Sequence, residues 1–475
     1  MPQPAAFSNP LAPSRLTSMT DANQLDEGVW SQTARRTDDG ELEIGGWRAS
    51  ELLAEFGSPL YVLDEADIRE RAAAAVADFS AAFAEIGAEV ELHYASKALL
   101  TIDVARWMQE AGLGLDVASA GELEIALRAG IDPANIGMHG NNKSGASLRR
   151  AVAAGVGTII IDSAQEIERL AAIASEFDRV QPVLVRINSG IHADTHSFLA
   201  TSHEDQKFGL PIAAAGEAIA RIRELDSLEL RGLHSHIGSS IYDAGGFGAA
   251  ADRLMRFRAQ LLAGGPVLEV NLGGGFGIAY LPSDNATPLA ELARGIAAEV
   301  ARACAETGSD LPAFTFEPGR SIVGTGGTTL YTVGTTKTVD VPLDAGGSAE
   351  RLYVSVDGGM SDNTRPSLYG ANYCVRLANR ESDVAPRLVR VVGSHCESGD
   401  VVVHDDYLPG DVHPGDLLAT PATGAYGFAM ANFYNCFDRP AVVAVRDGEA
   451  RTLVRRVTID DLLAYDCAAT EEETR

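Results

Sequence analysis

One pattern, repeated eight times between residues 90 and 321, most constrains how this 475-residue chain can fold. Each repeat is a short apolar run rich in β-branched residues, followed by Gly, Ser, Asn or Asp and then by a helical stretch. Continuous apolar runs are typical of parallel strands that are covered on both faces, and eight strand–helix alternations favour a closed (β/α)8 barrel of the TIM type. A six-stranded doubly wound sheet is the alternative that the pattern leaves open. The predicted strands are Val90–Ala95, Leu113–Ala118, Ile136–Gly140, Thr158–Asp162, Pro182–Asn188, Leu230–Ile237, Val267–Leu272 and Ala313–Glu317.

Capping residues mark the helices between these strands. Ser119 with Glu122, and Ser163 with Glu166, fit the S-x-x-E capping box, in which the two side chains satisfy free N–H groups at a helix start. Glycines of the kind that end helices are Gly112, Gly130 and Gly155.

The periodicity changes after about Gly324, which predicts a second, mainly β domain. An earlier strand, Leu42–Trp47, is expected to pair with that domain. The later strands are predicted at Tyr331–Val339, Arg351–Val356, Arg387–Val392, Val401–His404, Asp416–Thr420, Ala441–Val445 and Arg451–Val457. We therefore predict a flexible extension (1–40), a segment that joins the β domain (41–64), the barrel (65–324) and the C-terminal β domain (325–475).

Composition excludes several classes of protein. The chain has 38 Lys and Arg residues against 66 Asp and Glu residues, a formal net charge of −28, so we expect no nucleic-acid partner, which would need a basic surface. Apolar stretches are interrupted well short of about 18 residues, and we expect no membrane span. The five cysteines are odd in number and lack zinc or disulfide spacing, which indicates no metal site and a reducing, cytoplasmic location.

In such a barrel, the residues of the active site lie at the carboxyl ends of the strands. Four features lie at the ends of predicted strands or directly after them: Lys97, His236, the glycines 273–275 and Glu317. This combination suits pyridoxal phosphate (PLP), because an amine can bind its aldehyde, backbone N–H groups its phosphate and a carboxylate its pyridine nitrogen. Taken singly, the same residues are typical of a solvated lysine, a core histidine, a tight turn and a salt bridge. Other polar residues at these ends are Ser119, Asn141, Asn142 and Arg186.

Nine motifs carry a resemblance to a known family, and that resemblance covers the chain from about Gly45 to Asp466. The motifs are HYASKA, DVASAGE, HGNNKS, GLHSHIGSS, NLGGGFGI, EPGRSIV, RPSLYGA, CESGD and GAYGFAMANFYN. In these motifs the sequence resembles the fold-type III PLP enzymes of the alanine racemase-like barrel group, and within it the diaminopimelate decarboxylase family. The resemblance implies decarboxylation of meso-2,6-diaminopimelate at its D-centre to give L-lysine, the last step of lysine biosynthesis. It also implies a homodimer with an active site shared across the interface.

The resemblance also implies roles for individual residues. The chemistry would be carried by Lys97, His236, Glu317 and Cys396, the last as the acid that protonates the α-carbon. The cofactor would be held by Lys97, His236, Ser239, Gly274, Gly275, Glu317, Gly319, Arg320 and Tyr426. The substrate would be bound by Arg320, Arg365, Tyr369, Glu397 and Tyr426.

Other interpretations of the same residues stay open. Cys396 could be a small buried hydrophobic residue, and Arg365 could be an exposed arginine packed on the ring of Tyr369, four residues later. An ornithine, lysine or arginine decarboxylase, a non-catalytic PLP carrier and a racemase are the competing functions. The sequence departs from the family at Ser189, where proline is frequent, at Gln206, where serine is frequent, and in the polar insertion His192–Asp205.

Overall fold

The structure, a computed structural model, describes residues 7–16, 19–191 and 207–468. The insertion His192–Asp205 and Gln206 lie outside these described residues. The chain divides into two compact units, which are treated separately below. The barrel unit consists of Arg69–Ile278 and Ala286–Ile322, and the β unit consists of the described parts of Met1–Ile68, Ala279–Asn285 and Val323–Arg475.

The N-terminal part of the β unit begins with a small antiparallel sheet. Its three strands are β1 (Arg35–Arg36), β2 (Leu42–Ile44) and β3 (Trp47–Arg48). The single strand predicted at Leu42–Trp47 is therefore wrong: Gly45 and Gly46 have φ of +59° and +88° and form a turn between β2 and β3. After these come α1 (Ala49–Phe56), β4 (Leu60–Asp64) and α2 (Glu65–Glu85).

The described part of the N-terminal extension, which we expected to be loose, carries buried side chains. Leu16 and Ala22 form a core cluster with Leu388 and Tyr407 of the β unit. Partly buried apolar side chains, among them Met19, pack against this cluster. The expectation of a loose segment rested on its polar, proline-containing composition. Its few apolar residues are widely spaced in the sequence, but they bury their surface against strands that are distant along the chain.

The eight predicted barrel strands are all confirmed, and each pairs in parallel with its neighbours. Ile159, Ile160 and Ile161 of the fourth strand pair with Val183, Leu184 and Val185 of the fifth, which closes the sheet and excludes the open doubly wound alternative. The strands are β5 (Val90–Ala95), β6 (Gly114–Val117), β7 (Ile136–Met138), β8 (Thr158–Ile161), β9 (Gln181–Asn188), β11 (Leu228–His234), β12 (Glu269–Asn271) and β13 (Ala313–Phe316), with a short β10 (Leu210–Pro211) beside β9.

Helices alternate with these strands, as the capping residues predict. The Ser119 hydroxyl accepts a hydrogen bond from the Glu122 N–H, and Gly130 ends the same helix in the left-handed conformation. At Ser163 the predicted capping box is wrong: the serine side chain makes no capping bond, and the Glu166 carboxylate accepts from the Asp162 N–H, one residue before the start of the box. The helices between barrel strands are α3 (Ile102–Glu110), α4 (Ala120–Ala129), α5 (Gly145–Ala154), α6 (Ala164–Glu176), α7 (Ile212–Arg223), α8 (Gly245–Leu261) and α9 (Leu289–Thr307). The short α10 (Arg320–Val323) follows the last barrel strand, and α11 (Arg365–Tyr369) and α12 (Ile459–Leu463) belong to the β unit.

The remaining strands build the main sheet of the β unit around β4. The strands that follow the barrel are β14 (Gly327–Pro342), β15 (Ser348–Val356), β16 (Arg376–Leu377), β17 (Pro386–Val392), β18 (Val401–Pro409), β19 (Leu417–Thr420), β20 (Ala441–Arg446) and β21 (Glu449–Val454). In the sheet, β4 lies between β14 and β20, in the order β18-β17-β15-β14-β4-β20-β21, and β19 pairs with β14 and β16. Across the described residues, we find no helix whose length and apolar character would let it cross a bilayer.

Candidate active site

The carboxyl ends of the barrel strands surround a cavity with about 580 Å³ of empty space, part of which is open to solvent. The charged and titratable residues that line it are Lys97, Asp116, His139, Arg186, His234, His236 and Glu317.

Lys97 reaches this cavity from a 3₁₀ turn, Ser96–Ala98, directly after β5. Its side chain is exposed, and among the described residues its amine has no hydrogen-bond or ion-pair partner. Gly319 lies against the same turn, since a Cβ there would be 3.0 Å from the Ala95 Cβ. The amine is thus free to react with a ligand in the cavity.

Glu317, directly after β13, is a buried carboxylate held by imidazoles. The His234 Nε2 lies 2.9 Å from Oε1 of Glu317, and the His139 Nε2 lies 3.5 Å from the same oxygen. Burial acts to raise the pKa of Glu317, but His139, His234 and His236 outweigh it and keep the pKa well below its usual value. Because an ionised carboxylate only accepts hydrogen bonds, Nε2 of His234 carries the proton, and burial lowers the pKa of that imidazole.

A second carboxylate, Asp116 on β6, extends this network away from Glu317. Its Oδ1 lies 3.3 Å from the His139 Nε2 and 3.4 Å from the His93 Nδ1. Burial acts to lower the pKa of His93, but the bond to Asp116 outweighs it and raises that pKa to about 9. The network fixes His139 between two carboxylates.

The ligand atoms of His139, His234 and Glu317 lie within 4.8 Å of one another, a spacing that a metal ion could use. His234 already donates to the carboxylate, and we assign both imidazoles to holding Glu317.

His236 and the glycine turn form the next part of the cavity wall. The Gly274 N–H donates to Nδ1 of His236 at 3.3 Å. Burial, followed by the charge of Lys97, lowers the pKa of His236 to about 3, so this ring is neutral near pH 7. A neutral, flat imidazole is suited to contact with an aromatic cofactor ring.

The glycines of this turn are required by close backbone approach. A Cβ on Gly274 would lie 1.9 Å from the carbonyl oxygen of Glu317, and one on Gly275 would lie 2.2 Å from the carbonyl oxygen of Gly238. Gly275 also has a φ of +107°. Beside the turn, Nη2 of Arg320 donates to the Ser239 hydroxyl at 3.0 Å.

These residues fit PLP. The unpaired amine of Lys97 suits the aldehyde of PLP, and the ionised carboxylate of Glu317 suits its pyridine nitrogen. The glycine turn, where any side chain would fill the space, offers backbone N–H groups for its phosphate. The barrel unit thus brings together eight of the predicted residues: Lys97, His236, Ser239, Gly274, Gly275, Glu317, Gly319 and Arg320.

The other five predicted residues lie in the β unit. Cys396 is exposed, so its interpretation as a buried hydrophobic residue is wrong. Glu397 is also exposed and accepts a hydrogen bond from the Tyr434 hydroxyl. Tyr426 is half-buried and has a φ of +63°, which few side chains adopt without a local reason.

Arg365 and Tyr369 lie in different surroundings. Tyr369 is 66% exposed, whereas Arg365 is 8% exposed, so the pairing of an exposed arginine with the Tyr369 ring is wrong. The Arg365 guanidinium instead lies over the rings of Tyr280 and Tyr373.

Comparisons with known proteins identify the family of this chain. The family model of the pyridoxal binding domain of pyridoxal-dependent decarboxylases matches residues 66–324. Diaminopimelate decarboxylase of Mycobacterium tuberculosis is 48% identical over 456 residues, which cover 94% of this chain and 100% of that protein. The chain belongs to the diaminopimelate decarboxylase family. The enzyme of the same name from Bacillus subtilis is 42% identical, covering 91% of this chain and 97% of that one.

Solved diaminopimelate decarboxylases share the architecture. The enzyme from M. jannaschii in complex with L-lysine superposes with a TM-score of 0.83 at 31% identity, covering 92% of this chain and 98% of that one. The Helicobacter pylori enzyme, also complexed with L-lysine, gives 0.77 at 29% identity, covering 90% of this chain and 100% of that one. The predictions of a PLP-dependent decarboxylase and of its barrel and β domains are confirmed, and the roles of individual residues stay predictions.

Sequence reasoning missed the residues that surround Glu317. His234 stands in the quoted motif HSHIG, yet only its neighbour His236 was assigned a role. Asp116 lies in β6, the strand next to β5, which precedes Lys97. His139 directly follows β7, which is one strand further along the sheet. Their positions near strand ends could have marked them as candidate site residues. Only the structure shows that they belong to one network with Glu317.

Proposed function

We propose that this chain decarboxylates meso-2,6-diaminopimelate to L-lysine and CO₂. Membership of the diaminopimelate decarboxylase family supports the substrate. The observation that carries the chemistry is a single cavity that holds the unpaired amine of Lys97 and the imidazole-bound carboxylate of Glu317. We place this reaction as the last step of lysine biosynthesis.

Residues of the barrel unit prepare the cofactor. When bound through Lys97, PLP supplies an electron sink for the carbon–carbon bond that breaks. Glu317 stays ionised and holds a proton on the pyridine nitrogen, while the neutral ring of His236 covers one face. Ser239, Gly274, Gly275, Gly319 and Arg320 bind the phosphate, and Tyr426 of the β unit contacts the cofactor. Fixed groups of this kind act most strongly where water is excluded.

Residues of the β unit recognise the substrate. Its distal end is itself an amino acid, so recognition needs a cation and an anion together. Arg365 supplies the cation for the distal carboxylate and Glu397 the anion for the distal amine. The other proposed substrate-binding residues are Tyr369 and Tyr426 of the same unit and Arg320 of the barrel unit. An ornithine or lysine molecule in the substrate orientation lacks the distal carboxylate and would leave the guanidinium unpaired. Cys396 then donates the proton that replaces the lost carboxyl group.

We further propose the assembly and location of the enzyme. Cys396 and Glu397 are exposed, as residues that complete the site of a second protomer would be, and we propose a homodimer in the cytoplasm. None of the five cysteines, all of which are among the described residues, forms a disulfide bond, which agrees with a reducing compartment. In this arrangement residues 65–324 act as the cofactor-binding barrel and residues 325–475 as the domain that completes the substrate pocket.

One set of assays tests the function. We expect CO₂ release from meso-diaminopimelate far faster than from ornithine or lysine, and a visible absorption band of bound cofactor that borohydride removes. Lys97→Ala should abolish the band, whereas Lys337→Ala, at an exposed lysine of the β unit, should retain it. A preference for ornithine would replace the proposed substrate, and racemisation without CO₂ would identify a racemase.

The proposed acid is tested at a second cysteine. Cys396→Ala should slow CO₂ release by about 10²- to 10⁴-fold, the usual contribution of a positioned acid. Cys467→Ala, at another exposed cysteine, should leave the rate unchanged. Equal rates for both variants would argue against Cys396 as the acid. A protein that binds PLP but releases no CO₂ would be a carrier.

A further inference from the structure

Arg365 is a buried cation whose described neighbours are aromatic. Its guanidinium carbon lies 4.7 Å from the centre of the Tyr280 ring and 5.6 Å from that of Tyr373. Its Nη1 also donates a hydrogen bond to the Tyr373 hydroxyl. Both distances are within the range of favourable cation–π contact.

The two tyrosines are themselves fixed in the β unit. Tyr280 is 8% exposed and Tyr373 is 1% exposed. Their rings meet edge to face, with centres 5.3 Å apart and planes at 84°. Tyr280 comes from Ala279–Asn285, the short segment between the two barrel stretches that packs within the β unit. The pair therefore forms a rigid seat for the guanidinium.

No carboxylate in the described part of the chain pairs with Arg365. Arg376, another buried arginine of the β unit, differs, because it forms ion pairs with Asp26 and Asp406 at 3.1 and 3.0 Å. Burying a guanidinium without an anion is costly, and aromatic faces offset only part of that cost. The seat thus orients the charge without neutralising it, and leaves its attraction for an external anion intact.

We propose that Tyr280 and Tyr373 are specificity-determining residues that make this site select ligands bearing a distal carboxylate, by seating Arg365 as an oriented, uncompensated cation. This inference rests on the proposed function, in which Arg365 binds the distal carboxylate. A seat made of acidic side chains would instead favour a distal amine, because it would cancel the guanidinium charge.

Two ligands that differ by one carboxylate test the proposal directly. L-lysine, bound in the product orientation, keeps the distal carboxylate, whereas cadaverine lacks it. We would titrate both into the holoenzyme by calorimetry, which needs no turnover. Tyr373→Phe and Tyr280→Leu should each weaken L-lysine binding by about 5- to 30-fold, and should leave cadaverine binding within about twofold of wild type. The KM for diaminopimelate should rise in parallel, with kcat little changed.

Conservative and control variants separate a specific role from a structural one. Tyr280→Phe keeps the ring face and should weaken L-lysine binding less than Tyr280→Leu. Tyr407→Phe removes a buried phenol hydroxyl elsewhere in the β unit and should leave the affinities for both ligands unchanged. The visible cofactor band and the thermal midpoint report whether each variant is folded and loaded.

The outcomes distinguish this inference from the function on which it rests. Equal changes in L-lysine and cadaverine affinity, or no change in either, would overturn the proposed seat. A wild-type holoenzyme that releases no CO₂ from diaminopimelate would overturn the proposed function instead.

Discussion

Removing the imidazole of His234 tests whether catalysis depends on the ionised state of Glu317. The His234→Ala variant deletes a 2.9 Å hydrogen bond to a carboxylate, and both side chains are more than nine-tenths buried. Water therefore has little access to replace the donor. His139 lies 3.5 Å from the same oxygen, which is too far for a good hydrogen bond.

The expected loss of rate in His234→Ala follows from the charge of Glu317, which accepts the hydrogen bond. A hydrogen bond to a charged group contributes about 1.5–3 kcal/mol, which corresponds to about 10- to 150-fold in rate. We expect kcat/KM for diaminopimelate to fall by this factor, because Glu317 loses a donor that keeps it ionised. His234→Gln keeps an N–H donor and should recover part of the loss.

The assay is CO₂ release near neutral pH, measured at full cofactor occupancy as judged by the visible band. His413→Ala, at a histidine whose side chain is 64% exposed in the β unit, serves as the control and should behave as wild type. The reasoning is refuted by a His234→Ala enzyme that stays within twofold of wild type while fully loaded. It is refuted equally by a His234→Gln enzyme no better than the alanine variant.

Two further predictions concern stability and cofactor binding. Burial acts to lower the pKa of His93, but the bond to Asp116 outweighs it and raises the pKa to about 9, above the ordinary value of 6.5. Protonated His93 therefore stabilises the folded protein fully below about pH 6.5, and this stabilisation is lost as the pH rises through 9. In urea unfolding, His93→Gln should therefore cost about 3 kcal/mol more at pH 6 than at pH 10, and a pH-independent cost would contradict this. Gly274→Ala would place a Cβ 1.9 Å from a backbone oxygen and should weaken PLP binding by at least about tenfold, whereas Gly216→Ala, with nothing within 4 Å, should not change PLP affinity. Equal PLP affinity in the two glycine variants, measured by fluorescence titration, would show that the turn tolerates a side chain.

The barrel could be predicted from sequence because its signal is local. Buried parallel strands such as Thr158–Ile161 are continuous apolar runs, and each is followed by a helix within a few residues. The strand Leu60–Asp64 was missed as a separate element because its partners, β14 and β20, lie hundreds of residues away. The turn at Gly45 and Gly46, which divides the predicted strand Leu42–Trp47 into β2 and β3, was missed because the apolar residues on both sides of it favour a single continuous strand.

The site was predictable to the extent that chemistry follows strand ends. Lys97 and Glu317 stand directly after strands and have reactive groups that few structural roles require. His234 and Asp116 resemble ordinary buried polar residues in the sequence, and only the register of neighbouring strands shows what they contact. Tyr280 had no signal, because its contact with Arg365 joins segments that are distant along the chain.

The central position of β4 has a consequence for how the protein is made. During translation, Leu60–Asp64 leaves the ribosome long before β14 and β20, which must pair with both of its edges. At about 5–20 residues per second, this strand waits tens of seconds with unpaired backbone groups while the barrel sequence is synthesised. A chaperone that shields this nascent segment should therefore raise the yield of active enzyme.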